Sequence, residues 1–146
     1  MAITTNAIAN SFKKELLEAK HNFTQTSGDQ FKIALYTNSA TLGKSTTSFT
    51  TDAQVSNTGQ YTSGGGKLAK GSQQTSVASS VAIVDFADRS FTGVTLTARG
   101  ALIYNTSNSN TAVAVLDFGG DKTATAGTFT IQFPAFTTSA AILRIS

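Results

Sequence analysis

Two apolar runs separated by a short polar stretch constrain this chain more than any other feature. Ala98-Arg99-Gly100-Ala101-Leu102-Ile103-Tyr104-Asn105 is followed by Thr, Ser and Asn residues and then by Ala112-Val113-Ala114-Val115-Leu116-Asp117-Phe118-Gly119-Gly120-Asp121-Lys122. Aliphatic and β-branched runs that flank a polar turn read as an antiparallel hairpin. Further along, Thr128-Phe129-Thr130-Ile131-Gln132-Phe133 alternates, with Phe129, Ile131 and Phe133 on one face of a strand. Other runs predict strands over 31–37, 81–86, 91–96 and 140–145, with turns at 87–89 and 121–127. No helix-length segment separates the later strands, which argues against parallel βαβ units. The expected fold is mainly β, an antiparallel β-sandwich or barrel, jelly-roll-like.

Ahead of the strands, Ile8, Phe12, Leu16, Ala19 and Phe23 recur at spacings of three and four. That stripe predicts one N-terminal amphipathic helix over 6–23, with Asn6 as its N-cap and Lys13, Lys14, Glu18 and Lys20 mostly off the stripe. Such a helix buries its stripe either on its own sheet or on a neighbouring subunit. Residues 38–80 form a long polar excursion with few apolar positions, among them Leu42, Phe49, Val55, Tyr61, Leu68 and Val77. Structureless loops of that length are uncommon in compact domains. Two readings stand: disorder in the free monomer, or order imposed by a partner. The Gly64-Gly65-Gly66 triplet opens backbone conformations closed to other residues.

At 146 residues the chain reads as a single domain, 1–146, with its compact β region over 81–146. A chain of this size buries roughly 68–70% of its unfolded surface. It has no Cys, so packing alone holds the fold. A net charge of +3, from 11 basic and 8 acidic residues, is too small to imply a nucleic-acid partner. No apolar run approaches the roughly 20 residues of a membrane span. The N-terminus lacks the basic and apolar regions of a secretory signal, so the expectation is synthesis and use without Sec export.

Catalytic patterns are weak. His21 is the only histidine, so a Cys/His zinc site is ruled out, and no calcium loop pattern occurs. Near a helix C-terminus His21 reads as structural. Asp85 and Asp117, in Val84-Asp85-Phe86 and Leu116-Asp117-Phe118, read as outward strand positions or as partners for Arg89, Arg99 or Arg144. Asp117-Phe118-Gly119, Gly43-Lys44-Ser45, the Ser63–Lys67 glycine run and Ser11-Phe12-Lys13-Lys14 each lack the context their catalytic or phosphate-binding namesakes require. The expectation is a non-enzyme with no cofactor and no metal.

The order of several segments resembles a family of small virion structural proteins of tailed bacteriophages. These are Ser11–Glu18 with His21-Asn22-Phe23, Phe31–Thr37, Thr41-Leu42-Gly43 with Val55-Ser56 and the glycine triplet, Ala98–Tyr104, Ala112–Lys122 and Phe129–Pro134. The resemblance covers most of the chain and implies a structural component of the virion, with no catalytic residues to carry over. Within the family the expected role is a capsid decoration (cement) protein on the capsid surface, made in the bacterial host cytoplasm. Its expected partners are the major capsid protein and copies of itself in a symmetric homo-oligomer such as a homotrimer, with no nucleic acid and no membrane. The expected protein-interface residues are Ile8, Phe12 and Leu16 on the helix and Phe49 and Tyr61 in the excursion. The alternative is a tail-fibre or baseplate module that binds a host surface glycan through exposed Tyr36, Tyr61 or Tyr104. A small cell-wall hydrolase is the third reading.

Overall fold

The computed structural model describes residues 3–69 and 74–146. Its elements in chain order are β1 (Ala7–Ile8), α1 (Asn10–Leu17), β2 (Phe31–Tyr36), β3 (Gly66–Lys67), β4 (Gln74–Ala78), β5 (Val81–Asp85), β6 (Arg89–Asn105), β7 (Thr111–Ile131) and β8 (Leu143–Ile145). They form two antiparallel sheets, a larger one in the order β1-β7-β6-β2-β3 and a smaller one in the order β4-β5-β8. The fold is mainly β and sandwich-like, with open edges rather than a closed barrel.

The β6–β7 hairpin is the spine. It joins the predicted strands 91–96 and 99–105 into one of 17 residues, and 112–118 and 128–133 into one of 21. Register shifts between Phe91 and Val94, Val94 and Leu96, Ala98 and Gly100, and Ile103 and Tyr104 reset the side-chain alternation. A bulge breaks the period of two without ending the strand, so one strand reads as two. The predicted turn at 121–127 is a correction of this kind, because those residues lie inside β7. They read as a turn because most of their side chains face solvent. Cross-strand hydroxyl pairs, such as Thr97 Oγ1 to Thr123 Oγ1 at 2.9 Å, support that stretch in place of apolar burial.

β2 is buried on both faces. Paired with β6 from Phe31↔Asn105 to Tyr36↔Gly100, it places Phe31, Ile33 and Leu35 on one face and Ala34 and Tyr36 on the other. The first face lies beneath an aromatic cluster. Phe31 stacks on Phe23 at 4.6 Å and meets Phe86 at 5.7 Å. The second face lies beneath the excursion, where Phe49 stacks on Tyr104 at 4.8 Å and the Tyr36 hydroxyl donates to the Thr50 carbonyl.

The described part of 38–80 is therefore neither of the two arrangements expected for it, because the chain itself orders it. Val55 N–H donates to the Leu35 carbonyl, Leu68 N–H to Phe31, Phe49 N–H to Asn110 and Ala112 N–H to Thr47. Ala40, Val55, Tyr61 and Leu68 are buried. Sparse apolar residues suffice because each falls on the exposed face of a sheet already made. Gly65, with φ +73°, passes so close to β2 that a Cβ there would overlap the Ile33 carbonyl oxygen. Residues 70–73 of the excursion lie outside the described residues.

The helix is shorter than 6–23. Ala7 and Ile8 pair instead with Val115 and Ala114 of β7. Asn6 does not cap the helix; its Oδ1 accepts the Asp117 N–H at 2.6 Å. Ala9 occupies the N-cap without a side-chain bond. At the other end Lys20 N–H donates to the Glu15 carbonyl and Ala19 N–H to Leu16, with Ala19 at φ +57°. This is the double bond of a Schellman stop, and it carries alanine where glycine is usual. The stop turns the chain inward, so Phe23 reaches the core from a loop, while Ala19 of the predicted stripe is exposed. Ala19→Gly is expected to stabilise the protein by about 0.5–1 kcal/mol, since it relieves about 1–2 kcal/mol of left-handed strain and adds chain entropy to the unfolded state. Urea denaturation midpoints read the difference, and an unchanged or lower midpoint would contradict it.

Candidate protein-binding face

Three of the five expected interface residues meet on one surface. Ile8, Phe12 and Leu16 line an apolar groove of about 480 Å³ between α1 and the smaller sheet. Phe12 is itself buried, packed on Phe23 and on the His21 ring at 4.8 Å. Phe49 and Tyr61 are not on that surface. Tyr61 is fully buried, with its ring edge-on to Phe91 and its hydroxyl accepting the Leu35 N–H, and half-buried Phe49 covers Tyr104. Their apolar character serves the core, because the excursion they sit on lies over the larger sheet.

The far wall of the groove was not legible as a site. Register places Thr75 opposite Val84 and Val84 opposite Leu143; one step further out, Val77 lies opposite Ala82 and Ala82 opposite Ile145. Residues two apart on a strand share a face, so both rows belong to one face of the smaller sheet. The inner row closes on the core through buried Leu143 and half-buried Val84. The outer row leaves it: Val77 is 71% exposed and Ile145 59%. Leu17, next to Leu16 in the last turn of α1, is 92% exposed. The sequence had marked Val77 as a rare apolar residue in a polar stretch, but it gave no sign that Val77 and Ile145 share a row.

The polar groups elsewhere have structural duties. His21 donates through Nε2–H to Glu15 Oε2 at 2.6 Å, and its Nδ1 accepts from Asn105 Nδ2 at 3.0 Å. The same amide nitrogen donates to Asp29 Oδ2 at 2.7 Å, while Asn105 Oδ1 accepts the Ser107 N–H. With both ends of the amide committed, the ring carries its proton on Nε2. This network ties α1, the following loop and the end of β6 together. Asp117 pairs with Arg99 at 3.2 Å, one of the partners anticipated for it.

Asp85 finds no such arginine. Burial pushes its carboxyl above the usual range, the Phe86 N–H pulls it back down, and neighbouring Asp88 adds to the rise. A carboxyl whose folded pKa is raised favours the fold most below its unfolded pKa, and that contribution is lost as pH rises through the folded value. Asp85→Asn is therefore expected to equal or exceed the native protein in guanidinium midpoint at pH 7, with the difference closing as pH falls toward about 4. A variant less stable at pH 7 than at pH 4, relative to the native protein, would contradict this sign.

The glycan reading required exposed phenols, and here the structure corrects it. Tyr36, Tyr61 and Tyr104 are all buried, and the Tyr104 hydroxyl donates to the Gly64 carbonyl. Desolvation pushes the Tyr104 phenol up to about 12 and raises Tyr36 and Tyr61 as well. None of the three offers a sugar platform.

Among the described residues no group of three or more His, Asp or Glu side chains is placed to hold a metal ion, and no helix is long and apolar enough to cross a membrane. Comparison of the chain with family models, with curated proteins and with solved structures finds no match.

Proposed function

We propose that this chain is a non-catalytic structural component of a tailed-bacteriophage virion, a capsid cement protein that binds the major capsid protein across neighbouring subunits. The reading carries the protein to the capsid surface as a symmetric homo-oligomer, a trimer being the simplest match to three-fold positions on a shell. The order of segments shared with the small virion proteins motivates it. The observation that carries it is the apolar groove between α1 and the smaller sheet, with Leu17, Val77 and Ile145 left uncovered near the elements that build it. Each square ångström of apolar surface withdrawn from water stabilises an assembly by about 25 cal/mol, so a domain without a reaction site gains its effect by contact.

Shells assembled from the major capsid protein with and without this chain provide the test. Decorated shells are expected to resist heat and low salt better than bare ones. Leu17→Glu is expected to reduce uptake onto shells by about tenfold or more while leaving circular dichroism and denaturation unchanged, because the side chain touches little within its own chain. Phe12 is unsuitable for this purpose, since its ring is core and Phe12→Asp is expected to unfold the helix. Shells that gain no stability, or that take up no protein, would overturn the proposal.

A further inference from the structure

The groove between α1 and the smaller sheet has walls of nearly uniform chemistry. Strand alternation sorts the residues of the sheet that line it. Thr75, Val84 and Leu143 form one row of the lining face, and Val77, Ala82 and Ile145 form the next. Ser76, Ile83 and Arg144 make up the row between these two, so their side chains belong to the opposite face of the sheet. Arg144 donates through Nη1 to the Thr138 carbonyl at 3.4 Å. The other wall comes from Ile8, Phe12, Leu16 and Phe23. On the side chains that face the groove, Thr75 supplies the one hydroxyl and Lys13 the one charge.

Successive residues of a helix stand about 100° apart, so Phe12 and Lys13 flank the strip of α1 centred on Leu16. Phe12 is buried and Lys13 exposed, which puts the ring on the floor of the groove and the ammonium at its rim. Lys13 forms no ion pair among the described residues, because Glu18 takes Lys14 and Lys20, and Glu15 takes His21. No Asp or Glu lines the groove. The main chain of β5, at the centre of the sheet wall, is already paired with β4 on one side and β8 on the other. A peptide backbone or a sugar laid in the groove would lose water from its polar groups and find few partners, at a cost for each group. A hydrocarbon chain carries no such groups. The volume of about 480 Å³ lies within the roughly 300–1,000 Å³ of small-molecule pockets.

We propose that the groove binds a single-chain fatty acid, with its alkyl tail against Phe12, Leu16, Val84 and Leu143 and its carboxylate beside Lys13. Withdrawal of methylenes from water supplies the affinity, and one ammonium at the rim matches one negative charge on the head group. The site goes beyond the cement reading and does not rest on it. The tail occupies the floor, while Leu17, which is 92% exposed and does not line the groove, stays free for a capsid contact.

The test titrates the full chain with dansyl-undecanoate and displaces that probe with alkanoates from hexanoate to tetradecanoate, all below their micelle concentrations. Each added methylene is expected to tighten binding about fourfold until the groove is full, after which affinity levels off. Dodecanoate is expected to bind about fivefold or more tightly than dodecyltrimethylammonium at low salt, with the gap narrowing as salt is added. That preference is expected to reverse in Lys13→Glu, at an exposed position, with circular dichroism unchanged. Ala82→Phe, which fills the groove, is expected to weaken binding by about tenfold or more. Nuclear Overhauser contacts from the bound tail to the methyls of Leu16, Val84 and Leu143 in the native protein place the ligand independently of any variant. No gain in affinity with chain length, equal affinity for the two head groups, or tail contacts elsewhere on the molecule would each overturn the inference. A Leu- and Val-rich peptide that displaces the probe more strongly than dodecanoate would overturn it too, by giving the groove to a protein segment. Shells that take up no protein would leave fatty-acid binding standing, and its absence would leave the cement reading standing.

Discussion

Phe31→Ala is expected to cost about 3–5 kcal/mol, the upper range for removing a buried aromatic ring. Phe31 is fully buried and joins three parts of the molecule. Its ring lies parallel to Phe23, at 4.6 Å and 4°, and so holds the loop that leaves α1. It meets Phe86 at 5.7 Å, just after β5, and Phe86 in turn meets Phe133 just beyond β7. It also faces the His21 ring at 6.4 Å. The pocket left behind cannot collapse easily, because β2 is fixed by its pairing to β6 from end to end. Against a total stability of about 5–15 kcal/mol such a loss leaves little margin. A fall in melting temperature of roughly 6–20 °C corresponds to it for a chain of this length. Differential scanning calorimetry reads that shift, and a fall of less than about 3 °C would show that the cluster does not hold the two sheets together.

Asn105→Leu is expected to cost about 2–4 kcal/mol through polar groups left without partners rather than through lost volume. Asn105 is fully buried, and its side-chain amide serves His21 Nδ1, Asp29 Oδ2 and the Ser107 N–H at once. Leucine fills similar space and satisfies none of them. Asp29 keeps the Asn22 N–H, so the larger part of the loss falls on His21 and Ser107. Replacing both ends of a buried pair is gentler than removing one. The double variant Asn105→Leu/His21→Phe is therefore expected to lose less than the sum of the two single changes, as urea denaturation would show. Additive losses would mean that the two side chains act independently.

Local pattern revealed the larger sheet well. Phe31 to Tyr36 and the Ala98–Lys122 hairpin carry their pairing in alternation and turn chemistry, which act between residues close in sequence. The helix was visible as a stripe, but its end was not. Ala19 stops it in a left-handed conformation that its residue type does not advertise, and Phe23 falls on the helical spacing while reaching the core from a loop. The reading of 121–127 as a turn failed for a related reason. A strand with solvent on most of its side chains and a bulge at each end looks locally like a loop.

Half of the candidate site was legible in the same way. Ile8, Phe12 and Leu16 follow from their spacing, and the buried role of Phe12 follows from the helix meeting its own domain. Phe49 and Tyr61 were misplaced because an apolar residue in a polar stretch looks the same whether it faces a partner or its own sheet. Glu15, His21, Asp29 and Asn105 form one network across separations of up to 84 residues, and no local rule links them.

By itself, then, the sequence determined the class of fold, the antiparallel hairpin at its centre, the amphipathic start and the absence of a disulfide. These follow from periodicities of two and of three to four, and from composition, all properties of neighbouring residues. Only the tertiary structure decided that the polar excursion packs on the larger sheet, that the three phenols are buried, and that Val77 and Ile145 share one exposed row. The physical reason is that burial and adjacency depend on which face of which strand a distant segment covers. Val77 and Ile145 come together only because β4 and β8 both pair with β5.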